Sequence, residues 1–109
     1  MGQVYTLADA VTTTGVKGYR QTFVDGEVDT DKKVVQVVSA TTSGAGSTTV
    51  LIQGSLDNTN FLTIGTITLT TSTTPASDAL VIDAPWPSIR ANVQAISGTG
   101  ATCSVYLSF

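Results

Sequence analysis

The chain has no histidine and a single cysteine, Cys103. The absence of histidine removes the commonest general base, the usual activator of a Ser or Cys nucleophile and the most frequent metal ligand. A lone cysteine cannot close an intrachain disulfide and has no soft partner with which to hold a metal. In a predicted strand it reads as a small buried hydrophobe. Charge is scarce as well, at 12% of residues against about 25% in an average soluble protein. So low a density excludes disorder, which needs the opposite balance, and points to a surface partly covered by partners. Net charge is −3, with five basic residues spread along the chain. They cannot form the basic face through which nucleic acid is bound, so no direct nucleic-acid contact is expected. No apolar run approaches the ~20 residues of a membrane span, and no membrane role is expected. Met1-Gly2-Gln3-Val4 has neither a basic nor an apolar leader region, and its fit to the loose myristoylation pattern through Thr6 is read as chance.

What replaces charge is threonine, at 20 of 109 positions. Its β-branched side chain is stiff at χ1, which suits a pleated strand and disfavours a helix. The length fits one domain with one core. Apolar residues recur with period two, punctuated every eight to twelve residues, as in a sandwich or barrel. Strands are predicted at 18–24, 33–40, 48–55, 62–70, 79–83, from Ser88, and at 101–109. Turns are expected at Asp25-Gly26, Asp57-Asn58-Thr59-Asn60 and Ser97-Gly98-Thr99-Gly100, with loops at 42–47 and 71–78. Leu7 to Val11 allows one helical turn, stopped by the Thr run at 12–14. In the second strand Val35 and Val37 share one face and Val34, Gln36 and Val38 the other, so cover is expected on both sides. A switch of apolar phase near Gly65-Thr66 marks a bulge. Val50 and Ile52 lie on the face opposite Leu51 and Gln53. Ile89, Ala91, Val93 and Ala95 alternate against Arg90, Asn92 and Gln94, and Cys103, Val105, Leu107 and Phe109 share one face of the last strand. The expected fold is a single-domain all-β sandwich of seven or eight antiparallel strands, jelly-roll or immunoglobulin-like. It spans 17–109, behind an N-terminal arm or extended segment at 1–16.

Chemistry has few places to hide. No motif sets a nucleophile beside a base, and no particular pair of the eight acids stands out as a glycosidase dyad, so no catalytic residues and no cofactor are assigned. Asp25-Gly26-Glu27-Val28-Asp29-Thr30-Asp31 offers alternating hard oxygen ligands. Gly is not at the sixth place of a calcium loop, however, and Gln36 stands where the bidentate acid belongs. The segment is read as a solvated loop partly neutralised by Lys32 and Lys33, with no metal site assigned. Ala84-Pro85-Trp86-Pro87 holds the lone Trp between prolines that restrict the backbone. Trp86 is either a contact anchor or a plug over the end of the sandwich. Arg90, the one charge on its strand, is either a directional partner contact or an ordinary surface residue.

Val50-Leu51-Ile52-Gln53-Gly54-Ser55-Leu56-Asp57-Asn58-Thr59-Asn60-Phe61 resembles a strand-turn-strand unit of small bacteriophage virion proteins, with Asn58 where Gly is usual. The stretches Pro87 to Val93 and Ser97 to Thr102 are similar to their closing hairpin. The resemblance covers residues 50–70 and 84–109. The same turn also resembles the hairpin of discoidin-type sugar-binding sandwiches. What the first resemblance implies is a virion component made in the host cytoplasm. A head decoration (cement) protein bound to the major capsid protein comes first, as a homo-oligomer and by analogy a trimer. A neck, tail or fibre part with a carbohydrate-binding sandwich is the alternative. In the decoration reading the N-terminal segment, with Tyr5 and Leu7, supplies part of the contact, alongside Trp86 and Arg90.

Overall fold

The structure is a computed structural model, describing residues 4–21, 32–57, 59–83, 86 and 88–108. Among them lie eight strands and no helix: β1 (Val4–Val11), β2 (Gly15–Gln21), β3 (Lys32–Ala40), β4 (Ser43–Ser55), β5 (Leu62–Thr71), β6 (Ala76–Asp83), β7 (Ser88–Thr99) and β8 (Thr102–Ser108). The strands form two four-stranded antiparallel sheets. Sheet A has the order β1-β8-β3-β6 and sheet B the order β2-β7-β4-β5. First pairs with last, second with seventh, third with sixth and fourth with fifth. The chain is thus one long hairpin rolled over on itself. This is the jelly-roll order, and it excludes the immunoglobulin arrangement.

The core lies between the sheets and is built from small β-branched residues. Val35, Val37, Val50, Ile52, Ile89, Val105 and Leu107 are fully buried. The alternation read from the sequence is correct for Val35 and Val37 and for Val50 and Ile52. Their opposite face in β3 is not covered, because Val34 and Gln36 are exposed on the outside of sheet A. Lys33, read with Lys32 as a partial counter-charge to the acidic segment at 25–31, is fully buried on the Val35 face. That segment, the Asp25-Gly26 turn and residues 22–24 of the predicted first strand lie outside the described residues.

The strand pairing revises several local expectations. Of the arm or extended segment expected at 1–16, Val4–Val11 is extended and joins sheet A as β1, which pairs with β8 from Val4↔Ser108 to Val11↔Cys103. A register shift falls at Leu7, and it turns both Leu7 and Ala8 into the core where strict alternation would bury one. Residues 43–47 extend β4 instead of forming a loop, because only Thr41 and Thr42 are needed to pass from sheet A to sheet B. Likewise β6 begins at Ala76, three residues before the predicted strand. In β7, Val50↔Val93 is followed by Thr49↔Ala95, so Gln94 is a bulge and Ala95 leaves the face of Ile89, Ala91 and Val93. The bulge expected near Gly65-Thr66 falls on Ile64. The segment Ser97 to Thr102 turns as expected, with the Ala101 amide donating to the Gly98 carbonyl, but it closes no hairpin, since β7 and β8 belong to different sheets. Gly98 and Gly100 take positive φ there (114° and 63°), a conformation glycine reaches without steric cost.

Candidate functional site

The two ends of the roll differ in chemistry. At one end hydroxyls tie the crossings together. The Thr41 amide donates to the Ser72 carbonyl and the Thr42 amide to the Thr99 carbonyl, both at 2.9 Å. Ser39 Oγ donates to the Thr102 carbonyl (2.6 Å) and lies 2.8 Å from Thr48 Oγ1, bridging the sheets inside the core. Since each hydroxyl has one proton, Thr48 is the donor in that pair.

The other end carries exposed apolar side chains. Val4, Ser108, Val34 and Val81 form one row across the outside of sheet A, read from the strand registers. All three valines are exposed. Thr6, Tyr106, Gln36 and Ala79 form the next row, so both rows are free of charge. On sheet B the β4–β5 hairpin carries Leu56, 78% exposed, and Leu62, 63% exposed. Five of the six large hydrophobics exposed among the described residues therefore gather at this end, Val16 being the other.

The hairpin is held by Asp57. Its Oδ1 accepts the backbone amides of Thr59 (2.9 Å) and Asn60 (2.8 Å) and the Ser55 hydroxyl (2.9 Å), while Oδ2 accepts the Asn60 side-chain amide (2.7 Å). These donors favour the charged form, and the two backbone bonds contribute most, so the Asp57 carboxyl is held far below the ordinary carboxylate range. Asp in this turn was legible from sequence; Asn58 lies outside the described residues.

Beside the hairpin Arg90 sits on the outer face of sheet B, as its alternation predicts. Its Nε donates to Gln53 Oε1 (2.7 Å), and its guanidinium lies 4.0 Å from the Phe61 ring centre. Gln53 Nε2 in turn donates to Thr63 Oγ1 (3.2 Å). Gln53, Phe61 and Thr63 were not singled out from sequence. The outward parity of Gln53 next to Arg90 was the one available signal, and it needed the β4–β7 register to be read. Trp86 is half-buried and packs against the core. Its ring lies over Gly54, where an added β-carbon would come within 2.8 Å of Cδ2. Of the two readings open for this residue, the plug describes its position.

The four residues singled out from sequence do not form one site. Leu7 is a core residue, 6% exposed, and Tyr5 is half-buried opposite Leu107 on the edge strand of sheet A. Arg90 and Trp86 come together near the hairpin, on opposite faces of sheet B. No known family model matches the chain, and no curated protein matches it. A solved chain described with Bacillus endospore appendages, a novel family of disulfide-linked pili, is 12% identical, with a TM-score of 0.39 over 99% of this chain and 80% of its own. Likeness at that level carries no functional weight.

Among the described residues no group of three or more His, Cys, Asp or Glu lies together to hold a metal. Cys103 is buried, and burial pushes its thiol up to about 11. It fills space in the core, as its place in a strand predicts.

Proposed function

We propose that the chain is a structural protein of a phage virion, and that it acts by docking instead of catalysis. A head decoration protein seated on assembled capsid is the form favoured here. The observation that carries the reading is the group of exposed apolar side chains at the hairpin end: Leu56 and Leu62 on a hairpin fixed by Asp57, beside Val4, Val34 and Val81 in an uncharged row of sheet A. Leu56 and Leu62 project from a pre-ordered turn, so little conformational entropy is lost when they are covered. Each leucine fully buried on docking contributes about 1.5–3 kcal/mol. The resemblance of residues 50–61 to phage virion proteins falls on this same hairpin, which supports assigning it the contact.

The described aromatics support a sugar platform less well. Trp86 lies on Gly54, Phe61 lies beneath Arg90, and Tyr106 stands mid-sheet on the other sheet's outer face.

The test is co-sedimentation of the purified protein with intact phage heads and with heads stripped of accessory proteins. Saturable binding to stripped heads, lost in a Leu56→Glu, Leu62→Glu double variant that remains folded, is the expected result. Failure of the wild-type protein to bind heads of any preparation would overturn the decoration reading.

A further inference from the structure

The edge strands of a sandwich are where it can recruit another chain, because their outward N–H and C=O groups have no ladder partner. Among the described residues the edges are β1 and β6 of sheet A and β2 and β5 of sheet B. Three of them are interrupted: β1 shifts register at Leu7 and again before Val11, β2 at Lys17 and β5 at Ile64. Such bulges spoil an edge as a template. By contrast β6 pairs with β3 from Lys32↔Asp83 to Ser39↔Ala76 without a shift, so its free side is regular over the whole strand.

One hydrogen bond shows which amides face outward. The Ala79 N–H donates to Oδ1 of Asp78, its own neighbour, at 2.8 Å. This amide therefore points away from β3. Antiparallel alternation then places the backbone groups of Ser77, Ala79, Val81 and Asp83 on the free side.

We propose that this edge docks on β6 of a second copy of the chain, antiparallel about a two-fold axis at Leu80, making one continuous eight-stranded sheet. Centred there, Ala79 faces Val81 of the second copy and Ser77 faces Asp83, and each match has its reciprocal by symmetry. All four outward residues are used. A centre one residue to either side leaves Ser77 or Asp83 without a partner. On the outer face the exposed Val81 meets the small Ala79, with no charge in the row. The two Asp78 residues lie four positions apart along the ladder, about 13 Å at 3.3 Å per residue, which exceeds the ~8 Å screening length of physiological salt. Asp78 acts as a brake, because its carboxylate must leave the Ala79 amide before a Val81 carbonyl can take that place. The pairing does not rest on the virion reading.

Sedimentation velocity up to about 1 mM, the range in which a ~4 kcal/mol association is populated, compares the wild type with D78A and A79P. Proline at Ala79 removes an N–H that the β3 ladder does not use, so the fold is retained while the edge is blocked. Circular dichroism checks this, and V81K, at an exposed position, replaces A79P if that variant does not fold. The expected pattern is a concentration-dependent dimer for the wild type, about tenfold tighter for D78A, which loses a competing charged acceptor. A79P should be monomeric. Wild type and D78A that both stay monomeric, or a folded A79P that still dimerises, would overturn the proposal. So would a monomeric wild type whose binding to phage heads is lost in A79P, which assigns the edge to a different partner.

Discussion

The guanidinium of Arg90 lies over the ring of Phe61, 4.0 Å from its centre, while its Nε–H is held by Gln53. One cation thus pins the root of the β4–β5 hairpin to the middle of sheet B. A lysine keeps the charge but loses the planar stacking and the directed Nε bond. Arg90→Lys is expected to cost about 1 kcal/mol, and a double-mutant cycle with Phe61→Ala to show a coupling of about 0.5–1 kcal/mol. Thermal unfolding would read the first as a shift of roughly 4–6 °C. Zero coupling would mean that the stack does not bear on stability.

Gly54 and Trp86 make a second constraint at the same end. An alanine at 54 places its β-carbon against the indole, so the ring must move. The only tryptophan in the chain is its own reporter. Gly54→Ala should shift the fluorescence toward the red and lower the melting temperature, whereas a variant with unchanged emission would refute the contact.

The Asp57 turn carries a pH signature. Its folded pKa is depressed, so the stability it contributes is complete above the unfolded value of about 4. That contribution is lost progressively as pH falls from the unfolded value to the folded one, which lies far lower. The melting temperature of Asp57→Ala should therefore fall short of the wild type by a constant margin from pH 7 to pH 5. The margin should narrow in strong acid, and carboxyl chemical shifts followed by NMR would show Asp57 titrating last among the acids.

Leu7 belongs to the core, so Leu7→Ala is expected to cost about 2–4 kcal/mol. Removing residues 1–16 takes away β1 together with Leu7 and Ala8. The truncated protein should unfold at lower temperature and expose dye-binding surface. A truncated form as stable as the whole would restore the idea of an independent arm.

Cys103 is buried with its thiol pushed up to about 11. The native protein should react with a thiol reagent at pH 8 only as fast as it opens, and unfolded protein at once. Prompt labelling of the folded form would show that the strand is open to solvent.

How much of this was legible in the sequence differs between features. Alternation in β3, β4 and β8 is local, since each pair of neighbours declares which face it prefers, and it located Val35, Val37, Val50, Ile52 and Cys103 correctly. The Asp57 turn was legible because an Asx side chain bonds amides only two or three residues away. Arg90 was recognised as outward, but its partners come from β4 and from the start of β5, and nothing near position 90 names them. The bulge at Ile64 was announced by the phase switch at Gly65-Thr66, whereas those at Leu7 and Gln94 leave the apolar alternation of their own strands unbroken and show only in the pairing with a neighbour.

By itself, then, the sequence determined that this chain is built of strands around a core of small β-branched residues, because threonine and period-two alternation leave a helix no apolar face. Which sheet each strand joins was decided only in three dimensions. Six of the seven connections between successive strands pass from one sheet to the other, and a crossing as short as Thr41-Thr42 looks in sequence like any turn. Tertiary structure also gathered the exposed leucines and valines at one end and left β6 as the regular edge. Both depend on the registers of strands distant in the chain, and those registers are set by how two faces pack together.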